Sequence, residues 1–346
     1  MNAERVERLR ASLEEPLLVS TPENIVYLTG FDSTNAALVV GPERLHLYAD
    51  FRYAAAGRAV DGAEFVETER SLFASLSGLL SGRIAFERDH LTYAGYELLR
   101  AGRIELVPRS GLVERLRAVK DDGELDTLRR AAAITSEAFE RFSQERFIGR
   151  TERDLAWRMD ELFHELGADG RAFPTIVAAG RNGSTPHAHP GDREIEAGQT
   201  VVVDAAASLD GYRSDCTRTF ATGPLPDELK EAYRVCLEAQ LGALDAVRPG
   251  AVGREVDAVA RETIAAAGYG DAFGHGLGHG IGLAVHEDPR LAQGSENVLE
   301  PGNVVTVEPG IYLEGRGGIR IEDLVIVRDG QPEILTTFTK DLVSVD

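Results

Sequence analysis

Apolar residues in the first third of the chain come in short runs bounded by turn residues. PLLVST, AALVVG, RLHLYAD and RIAFE have the length and flanks of β-strands. Helical spacing alternates with them. AERVERLRASLEE (3–15) reads as a helix, as does YAGYELLRAG, which Gly102 closes in the manner of a helix C-cap. This is a small α/β unit, and no catalytic motif falls within it. A long helical pattern then opens with RAVKDDGELDTLRRAAAITSEAFERF. The change predicts a domain boundary near residue 118, with one domain over 1–118 and another over 119–346.

The second domain repeats its own pattern. IGRTERDLAWRMDELFHELG (148–167) and PGAVGREVDAVARETIAAAG (249–268) are equal in length, and each has a glycine near its start and another at its end. Thr151 with Asp154 three residues later forms a capping-box pattern. Each segment follows another helical stretch, 123–147 and 226–247, and each precedes β-like sequence. The expectation is an α+β domain built as helix, helix, strands, twice over, with a pseudo-twofold repeat.

The strands after each helix pair carry acids in apolar surroundings. In TVVVDAAASLDGYRSDCTRTF (200–220), Asp210-Gly211 is a hairpin-turn dipeptide. Side chains alternate between the faces of a strand, so a two-residue turn at either Leu209-Asp210 or Asp210-Gly211 brings Asp204 and Asp215 to the same face. In NVVTVEPGIYLEGRGGIRIEDLVIV (303–327), pairing about Gly315 sets Glu308 opposite Glu322. Two carboxylates side by side in apolar strands repel each other and need a proton or a metal between them. Four facing one cleft cannot all ionise without cations. The pattern predicts a metal site.

A formal net charge of −20 supports that reading and removes others. Nucleic-acid binding needs an excess of Lys and Arg that the chain lacks, whereas an acidic excess suits a site that concentrates cations. The basic residues are nearly all arginine; only Lys120, Lys230 and Lys340 are lysine. Cys216 and Cys236 make no disulfide framework and no CxxC. No apolar run reaches the length of a membrane span, and the opening MNAERVERLRASLEEP is charged and amphipathic, unlike a signal peptide. The expectation is a cytoplasmic protein with no nucleic-acid and no membrane partner.

GHGLGHGIGLAVHEDP (274–289) adds histidine. It is neither a P-loop nor GxGxxG, and Arg290 stands where the second histidine of an HExxH helix would be. What remains is a histidine supplied by a chain segment that passes very close to something, its glycines letting the backbone near the acids. One imidazole with four carboxylates favours Mn²⁺ or Co²⁺ over a thiolate zinc site, and two metals sharing bridging carboxylates are a natural arrangement.

At these residues the chain resembles the pita-bread metallopeptidases, the group of methionine aminopeptidase, aminopeptidase P and prolidase. The likeness lies in order and spacing: Asp204, Asp215 eleven residues on, His279 within Gly-His-Gly, Glu308, and Glu322 fourteen residues after it. NIVYLTGFDSTNAALVV and LYADFRYAAAG resemble the amino-terminal domain of the prolidase and aminopeptidase P branch. Ala206 and Leu209 stand where the family often has Gly and Tyr.

The resemblance implies a small α/β amino-terminal domain before a pita-bread catalytic domain holding two divalent metal ions, Mn²⁺ or Co²⁺ first and Zn²⁺ next. Asp215 and Glu322 would bridge them, Asp204 completing one shell, His279 and Glu308 the other. It implies hydrolysis of Xaa-Pro bonds by a hydroxide bridging the metals: a dipeptidase (prolidase) or, alternatively, an aminopeptidase P-like enzyme acting on longer peptides. Retention of all five ligands speaks against a non-catalytic binding protein of this fold. Glu308 would relay a proton to the leaving nitrogen. His187, in GRNGSTPHAHP (180–190), and His286 would hydrogen-bond the substrate, and Arg290 would grip the dipeptide carboxylate. Arg320 is expected to buttress Glu322 or Asp323. His275 and His189 receive no role. Family members are commonly homodimers, and the loop GFDSTN (30–35) would lean over a partner's cleft.

Overall fold

Each strand expected in the first third forms, and two more join them at the edges. The computed structural model describes residues 2–346, which fall into two units, the first ending at Arg117 and the second beginning at Ala118. In the first, β1 (Leu17–Val19), β2 (Ala36–Val40), β3 (Leu45–Asp50), β4 (Glu64–Thr68), β5 (Ser81–Glu87) and β6 (Arg103–Arg109) make one sheet in the order β4-β3-β2-β1-β5-β6. The strands that apolar runs did not reveal, β4 and β6, are its edges; they are largely part-exposed, and β6 contains Pro108, which an edge tolerates.

Helices α1 (Ala3–Arg10), α2 (Pro22–Thr29), α3 (Ala54–Arg58), α4 (Leu72–Leu79), α5 (Tyr93–Arg100) and α6 (Glu114–Ala118) accompany the sheet. α1 stops short of residue 15. The Ser12 hydroxyl turns onto the Leu9 carbonyl (2.7 Å), and Pro16 disfavours helix in the residue before it. Gly102 is not a left-handed cap: a Cβ there would stand 2.2 Å from the Ser77 carbonyl oxygen, so the glycine lets the chain close onto α4.

The second unit is the expected repeat. α7 (Asp122–Phe142) and α8 (Glu152–Glu165) precede β7 (Gly170–Arg171), β8 (Ile176–Ala179), β9 (Thr200–Asp204), β10 (Ala207–Leu209), β11 (Tyr212–Arg213) and β12 (Thr217–Ala221). α9 (Asp227–Ala246) and α10 (Gly253–Ala266) precede β13 (Gly278–Gly280), β14 (Glu287–Leu291), β15 (Val304–Val307), β16 (Gly310–Leu313), β17 (Gly317–Arg320), β18 (Asp323–Ile326) and β19 (Glu333–Ile334). α8 and α10 are both 14 residues long. Left-handed glycines bracket them at matching places, Gly149 and Gly167 around one, Gly250 and Gly268 around the other. The capping box at Thr151 and Asp154 is present; Val252, the cap of α10, has no side chain able to form one.

Both hairpins form and then divide. β9 pairs with β12 (Asp204 opposite Thr217), and the same register resumes in β10 and β11 (Ser208 opposite Arg213). Asp210 and Gly211 both have positive φ at the turn, as a two-residue hairpin requires. In the second hairpin β15 pairs with β18 and, beyond a break, β16 with β17. All four acids sit at or beside these breaks. Phe139, Phe142, Phe147 and Phe220 pack under the first half, and Val305, Val307, Ile319 and Ile321 pack with α9 and α10 under the second.

Candidate metal centre

The break in each hairpin lets its acids turn toward the other hairpin. The Glu322 amide donates to the Thr217 carbonyl (3.1 Å), and the Thr217 hydroxyl donates to Glu322 Oε2 (2.7 Å). One carboxylate oxygen from each of Asp204, Asp215 and Glu322 then lies within 4.8 Å of the others. On the other side Glu308 Oε1 is 3.2 Å from His279 Nε2, which is 3.8 Å from Asp215 Oδ2. Asp215 thus belongs to both groups.

The four acids are of two kinds. The outer two face cations: Asp204 Oδ2 accepts from Arg320 Nη2 at 2.7 Å, and Glu308 faces His279. The inner two, Asp215 and Glu322, are 4% and 1% exposed and bond no lysine or arginine among the described residues. Burial and then the charge of Asp204 push the Asp215 carboxyl well above its usual range; burial and then Asp215 do the same to Glu322. Burial raises Asp204 too, against the pull of Arg320. For Glu308, burial is outweighed by the hydrogen bond and charge of His279, which bring it down to about 2. Burial lowers His279, but Glu308 lifts it to about 9.

Arg320 does not contact Glu322 or Asp323 directly, as a buttress would; it reaches Glu322 through the Thr217 hydroxyl, which accepts from Arg320 Nε and donates to Glu322 Oε2. Its guanidinium reaches Asp204, Thr217 Oγ1 (3.1 Å), Tyr312 Oη (2.9 Å) and the Pro186 carbonyl (3.2 Å). The hairpin divides between Arg320 and Glu322, so strand alternation cannot be carried across. Asp323 is held instead by Arg218 (2.8 Å), Lys340 (2.6 Å) and Gln240 (2.9 Å). Arg218, 2% exposed, also donates to the Glu322 carbonyl and so ties the two hairpins together.

His279 is the middle residue of β13, which runs between β14 and β15. Its Nδ1 is 3.1 Å from the Gly280 carbonyl. A carbonyl only accepts, so Nδ1 carries the proton and Nε2 is aimed at the acids. The glycines serve a different purpose from the one expected. A Cβ on Gly278 would stand 2.0 Å from the Thr306 carbonyl oxygen, and one on Gly280 2.2 Å from that of Asp288. Backbones of the neighbouring strands fill that space, not the acids. A divalent cation suits the site: Asp204 Oδ1 is buried without a hydrogen-bond partner, and the inner carboxylates bond no lysine or arginine among the described residues. Four carboxylates and one imidazole are an oxygen-rich ligand set.

The acids lie on a cavity of about 580 Å³ that His187, His189, His286 and Arg290 also line, all four exposed. The His286 ring meets His279 edge-on, centroids 4.4 Å apart. Phe173, Ile176, Val285 and Ala292 add apolar wall. Glu152, at the start of α8, accepts from the Ala179 amide (2.7 Å), Asn182 Nδ2 (2.8 Å) and the Gly191 amide (2.8 Å), bracing the segment that carries His187. His275 lines the cavity as well. Its Nδ1 donates to the Gly276 carbonyl (2.8 Å), and its Nε2 accepts from Tyr312 Oη (2.9 Å), which in turn accepts from Arg320. Reading the sequence missed Glu152, Tyr312 and Arg218. No local pattern marks Tyr312, because the hairpin divides between Glu308 and Tyr312 and the two-residue period is not carried across.

No helix among the described residues is long and apolar enough to cross a membrane. Residues 126–329 match Metallopeptidase family M24, and residues 5–119 match the Creatinase/Prolidase N-terminal domain. The structure of the Xaa-Pro dipeptidase from Bacillus anthracis is 38% identical in sequence and superposes with a TM-score of 0.94, covering 99% of each chain. That of the X-Pro aminopeptidase from Thermotoga maritima is 34% identical, with a TM-score of 0.88 over 99% of this chain and 100% of that one. The Xaa-Pro dipeptidase of Pyrococcus horikoshii is 33% identical over 338 residues, 96% of this chain and 95% of its own. The fold is therefore a small amino-terminal domain followed in the chain by the α+β pita-bread architecture, and the acid cluster accords with a metal-dependent enzyme. The chain belongs to metallopeptidase family M24, in the form that carries a Creatinase/Prolidase N-terminal domain.

Proposed function

We propose that this chain is a Xaa-Pro dipeptidase in which a domain over 1–118 precedes a catalytic domain over 119–346. The observation that carries the reading is the inner pair. Asp215 and Glu322 come from separate hairpins, lie buried within reach of one another, and have no lysine or arginine to balance them. They would bridge two divalent ions, with Asp204 completing one shell and His279 and Glu308 the other. Mn²⁺ or Co²⁺ suits this set best, with Zn²⁺ next. When bound, such ions lower the pKa of water and polarise a carbonyl. Proteins named Xaa-Pro dipeptidase that are 40%, 33% and 41% identical to this chain support the substrate class.

The chain's own groups supply the rest. Glu308 Oε1 accepts from the Thr306 hydroxyl (3.1 Å) and faces His279, which holds the carboxylate ionised at the cavity. There it can take a proton and pass it to the leaving proline nitrogen. His187 and His286 would donate hydrogen bonds to the substrate carbonyl oxygen as charge grows on it. The Arg290 guanidinium would take the free carboxylate of the dipeptide bidentately. A cytoplasmic homodimer completes the reading.

The test uses metal-stripped protein with and without added Mn²⁺, given Ala-Pro and Ala-Pro-Ala. Release of proline from Ala-Pro only with metal is expected, and Glu308→Gln should slow it by about 10²- to 10⁴-fold. Cleavage of the longer peptide alone would favour an aminopeptidase P-like enzyme, a reading that the likeness to the Thermotoga maritima aminopeptidase keeps in play. Full activity without metal would overturn both.

A further inference from the structure

Behind the loop that carries His286 lies a buried ion pair that touches no substrate space. The Lys120 side chain is 1% exposed, against 54% for Lys230 and 21% for Lys340. Lysine is almost never buried to that degree unless it is paired. Its Nζ lies 3.2 Å from Glu287 Oε2, and the Glu287 side chain is 7% exposed. Glu287 Oε1 accepts from the Ala284 amide (2.9 Å). The Lys120 amide is fixed to the Gly302 carbonyl (3.0 Å), and the next residue, Asp121, caps α7. The pair therefore joins the entry to α7 with the first residue of β14. Neither residue lines the cavity.

The loop between β13 and β14 is shaped around this carboxylate. The pairing of the two strands shifts register after His279, so that Gly280 faces Glu287. In between, the Gly282 amide donates to the Ala284 carbonyl (3.1 Å) and Arg213 Nη1 donates to the Leu283 carbonyl (2.6 Å). A Cβ on Gly282 would stand 3.0 Å from both Glu287 oxygens, so the glycine leaves room for them. His286 and Glu287 are consecutive and project to opposite sides, His286 to the cavity and Glu287 to Lys120. Turning Glu287 turns His286 with it.

We propose that Lys120 and Glu287 are a positioning pair that fixes the loop 281–287 and so holds His286 where it meets the reacting carbonyl; this rests on the peptidase reading above. Desolvation of both charges offsets most of the attraction in a buried pair, so its contribution is one defined loop geometry more than net stability.

The test compares Lys120→Met, Lys120→Arg and the double variant K120M/E287Q with wild type, all in saturating Mn²⁺. The double variant removes both charges, keeps the volume, and leaves an amide oxygen to accept from Ala284. It is expected to fold with a Tm near that of wild type and to bind Mn²⁺ equally. On Ala-Pro its kcat should fall by about tenfold to a hundredfold, the scale of a catalytic group misplaced by about an ångström, while KM changes less. Amide hydrogen exchange across 281–287 should quicken while 304–307 stays protected. Lys120→Arg, which keeps the charge, should recover rate relative to Lys120→Met. A double variant with wild-type kcat and wild-type exchange at 281–287 overturns the proposal, and so does one that loses Mn²⁺ binding or exchanges faster throughout. Should the wild-type chain leave Ala-Pro intact, the peptidase reading fails, and the exchange at 281–287 still decides whether the pair holds the loop.

Discussion

In the first hairpin Asp204 ends β9 and Asp215 stands two residues before β12; in the second Glu308 follows β15 and Glu322 directly precedes β18. The frames match down to the flanking strand. Ala179 lies opposite Val201, three residues before Asp204, and Gly280 lies opposite Val305, three residues before Glu308. Counting back one residue on each, Ala178 stands where His279 does. One half supplies an imidazole beside its outer acid. The other has a buried alanine there and balances its outer acid with Arg320, which comes from the opposite half. Among the described residues neither inner acid bonds a lysine or arginine, and Asp215 shares His279 with Glu308 at the longer distance of 3.8 Å. The repeat thus builds a site whose unbalanced charge lies on its internal axis, between Asp215 and Glu322, and that is where cations are needed most.

The largest effect should come from neutralising an inner acid. Asp215→Asn and Glu322→Gln are expected to abolish divalent-ion binding measured by calorimetry. They should cut Ala-Pro hydrolysis by at least about 10²-fold, the loss that follows removal of one preorganised charge-stabilising group. In metal-free protein the same substitutions should raise the Tm, because they remove repulsion between buried carboxylates. A metal-free Glu322→Gln chain that melts below wild type would break the distinction between inner and outer acids.

The outer acids should move stability the other way. Asp204→Asn strands Arg320, which is 3% exposed, beside a neutral amide. Unpairing a buried charge costs about 3–5 kcal/mol, so metal-free Asp204→Asn should unfold at clearly lower denaturant than wild type. Activity falls for inner and outer substitutions alike. The sign of the change in metal-free stability separates them.

This division of charge was only half legible in the sequence. Asp210-Gly211 announced a hairpin, and alternation placed Asp204 with Asp215, because a type I′ turn and a two-residue period are local properties. The acids of the second hairpin followed from the same logic about Gly315. The choice of cation for each acid was not local. Arg320 crosses to Asp204 on the other hairpin, which is 116 positions away in the chain, and no period runs across the break at Ile321. β13 was hidden for a related reason: Gly-His-Gly lacks the β-branched and aromatic residues that mark a strand, and only the two neighbouring backbones require the glycines. In the amino-terminal unit β4 and β6 escaped notice because edge strands need no unbroken apolar run.

The smallest of these effects is the most direct test of why the halves differ. β8 is the outer strand of its sheet and carries Ile, Val, Ala and Ala, whereas β13 is hemmed in by β14 and β15. Gly278→Ala places a methyl group 2.0 Å from the Thr306 carbonyl oxygen, a backbone atom that cannot swing away. Overpacking of that kind costs about 1–3 kcal/mol. Gly276→Ala meets its nearest atoms, Ala292 Cβ and the Leu291 carbonyl oxygen, at 3.0 and 3.1 Å, and should cost less. Urea unfolding of the two metal-free variants is the measurement. If strand crowding is the reason for the glycines, Gly278→Ala loses more stability than Gly276→Ala, and its Mn²⁺ affinity falls as His279 is displaced. Equal stabilities for the two would leave the crowding argument without support and return these glycines to the service of the metal site.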